Sequence, residues 1–373
     1  MNRTRQRGFT LIELMVALLV SSLLVGMILA IFSRMSLAYR SQQQVAGLQQ
    51  ILAAARATIE LDAKQAGLGV PQGFKIAGPS LQSPVQIKNN VGSLGPDQIA
   101  FFYADTSISG MVSVSNLPAS PTITLADTPV GFVNDMLVVL TTASTAANPL
   151  GTGTNPDVAT YDACVLRIAS VNTAGKQITF YTTAPWGASP APAHCTNITA
   201  GRTMMYHFIA HAYQIDPTPG RLAIGVLQQT PTGNLTASET WNDLAYGFSD
   251  IQAAVRVYDP AGTDLDGDTD AVRNWYSAAG LDTMTSLATA PAGSSLLGMS
   301  ISLVAHTDRN VEGIASSATP KLLGTPTANN SLGDHDLVAL PASPANALLP
   351  DQRIYRYTTF QIDFRNLGVG VGQ

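Results

Sequence analysis

Apolar residues run almost without interruption from Phe9 to Phe32, which is long enough to cross a bilayer as a helix. Beyond Phe32 the chain turns amphipathic, and glutamines fill most of the polar face. The apolar positions there follow helical spacing at Val45, Leu48, Leu52, Ala55 and Ile59. The segment Gly67–Pro71 then ends the pattern. The sequence therefore predicts one long helix over residues 9–66, with residues 9–32 in the membrane.

After Pro71 the pattern changes to short β-prone runs separated by turn residues. Two predicted strand pairs are 164–168 with 177–181, and 204–213 with 221–227. Further strands are predicted at 99–103, 136–140, 251–258, 297–306 and 354–364. Short helices are predicted within 241–248 and 278–288. The pattern thus favours an α+β fold, with a long helical spine packed on a β-rich domain over 67–373, in one piece or two sub-domains.

The charge of the chain limits its partners. Removing Arg3, Arg5 and Arg7 with a short leader would leave 17 of the 20 basic side chains against 25 acidic ones. Such a charge argues against sequence-independent DNA binding by the whole surface but leaves a local basic patch open, and no specific nucleic acid is predicted. No nucleotide-binding or nucleophile motif is present, and no enzymatic role is predicted.

The residues before the apolar stretch indicate how the chain is oriented and processed. Their arginines would hold the N-terminus in the cytoplasm, so that the rest is exported. Glu13 lies inside the apolar stretch, where a lone carboxylate is costly and by default a functional candidate. Cleavage after Gly8 would create an amine at Phe9, four residues before Glu13. That amine, of the same or a neighbouring subunit, would offset the desolvation of the carboxylate.

The hexapeptide GFTLIE over residues 8–13 resembles the processing signal of type IV prepilins and of type II secretion pseudopilins. The resemblance implies that a prepilin peptidase cuts after Gly8 and methylates Phe9. It also implies that Glu13 supports subunit assembly. The leader is then residues 1–8, and the chain is a single-pass protein of the inner membrane. Its pilin domain lies in the periplasm, and reaches the pilus or cell surface after assembly.

Two further segments, 241–252 and 353–366, resemble the PilW-type minor pilins, as does the large size of the chain. The resemblance implies a minor pilin that primes type IV pilus assembly at or near the tip. Its partners would be other minor pilins, the major pilin and a tip adhesin. A minor pseudopilin, a tip adhesin and a DNA-uptake subunit remain alternatives. The use of the filament, for motility, adhesion, DNA uptake or secretion, stays open.

Cys164 and Cys195 are the two cysteines of the chain. Export places both in an oxidising compartment, which favours a disulfide over two buried free thiols. The pairing would close a loop of about 30 residues and stabilise the domain.

Two clusters suggest metal ligands. A loop with alternating acids around a glycine could bind calcium through Asp264, Asp266, Asp268 and Asp270, or form an ordinary polar turn. His207 and His211 would share one face of a strand, as a metal pair requires, but the nearby Tyr206, Phe208 and Tyr213 favour ordinary strand packing. No other cofactor is predicted.

Overall fold

The computed structural model describes fourteen stretches of the chain, and the statements below refer to them. They are residues 10–71, 74–75, 81–88, 96–143, 161–182, 195, 198–216, 221–226, 228–229, 235–236, 241–258, 273–277, 295–307 and 354–364. Residues 278–288, where a short helix was predicted, lie outside these stretches.

Helix α1 extends over Leu11–Gln65, close to the predicted bounds. Thr10 caps its N-terminus, because its hydroxyl accepts a hydrogen bond from the Glu13 amide while the Glu13 carboxylate accepts one from the Thr10 amide. Lys64 stands in the last turn, where a positive charge suits the helix dipole. Gly67 and Gly69 then adopt positive φ angles of 81° and 66°, which end the helix.

The two halves of α1 differ in burial. From Leu11 to Phe32 every side chain is exposed. In the second half one face is buried against the domain through Leu48, Leu52, Ala55, Ile59, Asp62 and Ala63. The predicted amphipathic face is thus confirmed at four of its five positions, and the fifth, Val45 at its start, is partly buried.

The regular elements in the remainder of the described chain are strands, as predicted except at residues 241–246. In chain order the strands are β1 (Phe74–Lys75), β2 (Leu81–Gln82), β3 (Val85–Lys88), β4 (Gln98–Ser115), β5 (Thr122–Leu125), β6 (Leu137–Ala143), β7 (Tyr161–Asn172), β8 (Gln177–Phe180), β9 (Thr203–Asp216), β10 (Arg221–Val226), β11 (Gln228–Gln229), β12 (Leu235–Thr236), β13 (Trp241–Tyr246), β14 (Phe248–Tyr258), β15 (Arg273–Ser277), β16 (Ser295–His306) and β17 (Tyr355–Asp363).

These strands form three sheets. The largest has eleven strands in the order β13-β10-β9-β4-β5-β8-β7-β1-β2, with β3 also paired to β4 and β6 paired to β7 and β9. A second sheet has the order β15-β14-β16-β17, and β11 pairs with β12. Both predicted hairpins are confirmed: β7 pairs antiparallel with β8, and β9 with β10.

One predicted element is wrong. Residues 241–246 form strand β13, which pairs antiparallel with β10, where a short helix was expected. The Trp241 indole lies over Gly225 of β10, at a place where a β-carbon on the glycine would come within 2.8 Å of the ring. Cross-strand packing of this aromatic side chain outweighs the local helical tendency of the segment.

The helix packs where the two large sheets meet. Its buried face shares one apolar core with residues of both sheets, including Phe101, Tyr213, Ile251 and Phe360. The sheets are linked by the backbone of Asp97, whose amide donates to the Ile251 carbonyl at 2.9 Å. The Asp97 carboxylate accepts from the Ala253 amide at the same distance. The helical spine packed on a β-rich domain is therefore observed as predicted.

The residues after the helix fill a gap in the large sheet. Along one edge of β4, strand β3 pairs with its beginning and β5 with its end. Between them, the residues that follow the helix (67–69, the helix tail) bond to β4. The Gly67 amide donates to the Phe102 carbonyl at 2.9 Å, and the Ala104 amide donates to the Leu68 carbonyl at 2.7 Å. The hydroxyl of Thr141 on β6 donates to the Gly69 carbonyl at 2.6 Å. The helix is thereby joined to a central strand of the sheet.

Candidate functional site

Glu13 is held at the N-terminal end of α1 by Thr10. Its Oε2 atom lies 3.0 Å from both the amide nitrogen and the hydroxyl of Thr10. Phe9 directly precedes Thr10 in the chain, so an amine created there by cleavage would begin one residue from the group that binds the carboxylate. Gly8 and Phe9 themselves lie outside the described residues, and the assembly role of Glu13 stays a prediction.

The apolar half of α1 needs a partner. Leu11 and Phe32, at its two ends, are 80% and 73% exposed. The helix is long and apolar enough to cross a membrane by length and composition. Exposed apolar surface of this extent is unfavourable in water. This half of the helix is therefore consistent with membrane anchoring.

A buried polar cluster fixes the other half of α1 to the large sheet. Asp62 points inward, and its Oδ1 accepts a hydrogen bond from the Tyr103 hydroxyl at 2.8 Å. Its Oδ2 accepts from the Tyr213 hydroxyl at 2.6 Å and lies 2.7 Å from Nδ1 of His211. Tyr103 belongs to β4, while His211 and Tyr213 belong to β9. One carboxylate thus connects the helix with two neighbouring strands.

Burial and hydrogen bonding compete in this cluster. Burial alone would raise the pKa of Asp62, but the hydrogen bonds from His211, Tyr213 and Tyr103 together lower the pKa below its ordinary value. Burial, followed by the adjacent carboxylate, raises the pKa of both tyrosines. The cluster therefore stabilises an ionised Asp62 beside two protonated phenols.

Asp62 is not among the predicted site residues, although the sequence carried a signal for it. It continues the buried helical face one turn beyond Ile59, where an apolar residue would be expected. An acid at such a position is rarely tolerated without partners. Its partners could not be found from the sequence, because they lie on strands far along the chain.

His207 and His211 lie near different acidic side chains. His211 contacts Asp62, while Nδ1 of His207 lies 3.8 Å from Oδ2 of Asp105. Within the described residues no group of three or more histidine, cysteine or acidic side chains could hold a metal ion. The calcium loop with Asp264, Asp266, Asp268 and Asp270 lies outside those residues, and its role stays a prediction.

The structure joins Cys164 and Cys195 by a disulfide, with their Cα atoms 5.5 Å apart. Both cysteines are fully buried in an apolar core together with residues of β4, β5, β7 and β8. The bond joins residue 195 to the first half of β7 across 31 positions of sequence. Its place in the core suits a structural role.

Comparison with known proteins supports the reading of the N-terminus. The family described as the prokaryotic N-terminal methylation motif matches residues 3–29. No curated protein is significantly similar to the chain. Among solved structures, a type IV-like pilin from Thermus thermophilus is 10% identical, with a TM-score of 0.34 over 86% of this chain and 97% of the pilin. At that TM-score the likeness carries no inference about this chain.

The chain thus carries a prepilin-type methylation motif at the head of a long apolar helix, which is followed by a strand-rich domain. This combination indicates a structural subunit rather than an enzyme.

Proposed function

We propose that this protein is a minor pilin of the type IV pilus, processed after Gly8 and methylated on Phe9. In this proposal the helix anchors the subunit in the inner membrane, with the domain in the periplasm, until it enters the filament. There it acts with other minor pilins and the major pilin to prime assembly, at or near the tip. The proposal rests on the N-terminal methylation motif and on the long apolar helix that it overlaps.

The proposal depends on two features that occur together at the N-terminal end of the molecule, a methylation motif and an uncovered apolar helix. The methylation motif covers residues 3–29, and the helix that follows leaves its apolar side chains uncovered from Leu11 to Phe32. A cleaved secretory signal would lose its apolar segment, whereas a cut after Gly8 keeps it on the mature chain. The retained helix can first lie in a bilayer and later pack against the helices of neighbouring subunits.

The assignment as a minor rather than a major pilin is supported by size and by local resemblance. The 373-residue chain is much larger than a typical major pilin, and segments 241–252 and 353–366 resemble the PilW-type minor pilins. The described residues of these segments lie mostly on strands β13, β14 and β17, which belong to the framework of the domain.

The mass of the membrane-extracted protein tests the processing step. In a host with a prepilin peptidase, we expect a chain that lacks residues 1–8 and carries one added methyl group. The same chain in a host without the peptidase should keep its leader, and Gly8→Leu should block the cut in the competent host. A protein that still begins at Met1 in the competent host would refute the proposal.

A further inference from the structure

Charged side chains are sparse along the first three quarters of α1. Between Leu14 and Ala55 the sequence holds two, Arg34 and Arg40, and no acid. Both arginines are exposed, and neither forms a salt bridge within the described part of the chain. Arg56 differs, since it pairs with Glu60 at 3.3 Å and lies 5.2 Å from the centre of the Phe360 ring.

The position of the two arginines relative to the apolar segment is informative. From Leu11 to Phe32 the helix measures about 33 Å, close to the hydrocarbon thickness of a bilayer of about 30 Å. Arg34 then lies about 3 Å beyond Phe32 and Arg40 about 12 Å beyond it. This range includes the headgroup layer, to which long arginine side chains readily extend.

A tyrosine completes this region. Tyr39 is 62% exposed and lies on a different side of the helix from Arg34 and Arg40. Aromatic rings with a polar tip are enriched at the level of lipid headgroups. The first fully buried helix residue is Leu48, about 24 Å beyond Phe32, so the described part of the domain does not enclose this stretch.

We propose that Arg34, Tyr39 and Arg40 form a collar that binds the anionic headgroups of the outer leaflet of the membrane that α1 crosses. Charge complementarity selects this partner, because two unpaired guanidinium groups at headgroup level match lipid phosphates. The collar sets how deeply the helix lies in the bilayer before the subunit is assembled. The inference rests on the proposed function, which places this end of the helix at the outer surface.

Native mass spectrometry of lipids retained by the full chain tests the collar. The chain is released from nanodiscs made of equal parts phosphatidylethanolamine and phosphatidylglycerol. We expect the wild type to retain phosphatidylglycerol preferentially. In the double variant Arg34→Gln/Arg40→Gln, the ratio of retained phosphatidylglycerol to phosphatidylethanolamine should fall about fivefold for each arginine replaced. The charge-preserving Arg34→Lys/Arg40→Lys should keep most of it. Arg56→Gln, on the same helix but paired within the protein, should match the wild type.

Several results would overturn the collar. The first is an equal preference for phosphatidylglycerol in the wild type and the double glutamine variant. The second is no preference in the wild type, and the third is dimers of the chain that retain no lipid. If the double variant does not insert into the membrane, the salt dependence of the wild type tests the collar instead. A phosphatidylglycerol preference that persists in 1 M salt is not electrostatic and would contradict the collar. The same spectra report whether residues 1–8 are present. A failure of processing is therefore seen separately from a failure of lipid binding.

Discussion

At the scale of single residues, Asp62 shows how a charge can be buried without destabilising the fold. Its carboxylate is 9% exposed and is satisfied by two phenols and an imidazole. Buried carboxylates without such partners cost several kcal/mol. The cluster therefore secures the helix to the sheet through directional bonds, in addition to the apolar contacts on either side.

Replacing Asp62 by Asn should weaken the fold. An amide keeps the shape but loses the negative charge and replaces one accepting oxygen by a donor, so a partner that now donates to that oxygen must reverse its role or lose its hydrogen bond. We expect a loss of about 3 kcal/mol in the free energy of unfolding. Denaturant titration of the full chain in detergent measures it. Asp363→Asn is the matched control, because that carboxylate is 80% exposed and its bond to Arg256 should contribute about 1 kcal/mol or less. Equal effects of the two substitutions would contradict the role of Asp62.

The contribution of Asp62 should also depend on pH. The folded chain lowers the pKa of Asp62 from its ordinary value of 3.8, so near that pH the unfolded state binds more protons. The stabilisation is therefore complete above about pH 4 and is lost as the pH falls through the folded-state pKa. The difference in unfolding free energy between wild type and Asp62→Asn should be larger at pH 5 than at pH 3. An identical difference at both pH values would argue against an ionised Asp62.

At the scale of elements, the sequence predicts well wherever the local pattern is regular. The helix bounds, its buried face and both hairpins follow from periodicity and turn residues. Strand β13 was missed because its pairing with β10 depends on a tryptophan over a distant glycine. The hydrogen bonds of the helix tail to β4 and β6 were missed for a related reason. They join residues separated by more than thirty positions, which no local pattern records.

The tail offers a test at this scale. Gly69 has a φ of 66°, and a β-carbon there would come within 2.7 Å of the Ala104 side chain. Gly69→Ala should therefore cost at least about 2 kcal/mol, from backbone strain and collision together. Gly201→Ala isolates the strain, since Gly201 has a φ of 74° with nothing within 4 Å, and should cost about 1 kcal/mol. Thermal unfolding of both variants compares them, and equal losses would show that the close contact is unimportant.

At the scale of the whole molecule, the protein has one end suited to lipid and one suited to water. A carboxylate in the apolar half is compatible with this division only where a partner offsets its desolvation. In the structure Thr10 supplies hydrogen bonds to Glu13, but no opposite charge. An amine on Phe9, from this subunit or its neighbour in a filament, would supply one.

Glu13→Gln should separate membrane insertion from assembly. The amide keeps the shape and is easier to bury, so we expect normal cleavage and insertion. Pilus number and co-purification with partner pilins should fall, because the charge pairing is lost. The strain must carry this variant as its single copy, and the mass of the mature chain serves as the processing control. Wild-type piliation with normal processing would exclude an assembly role for Glu13.

The junction between α1 and the domain also has a mechanical consequence. If the chain is assembled into a filament as proposed, part of any tension on the helix would pass to the domain through this junction. The Asp62 carboxylate and the backbone bonds of Gly67 and Leu68 lead to β4, which is flanked by strands on both edges. Part of a pull would therefore reach the interior of the eleven-stranded sheet, where several ladders share the load, and the rest would reach edge strand β17 through the packing of the helix against Phe360.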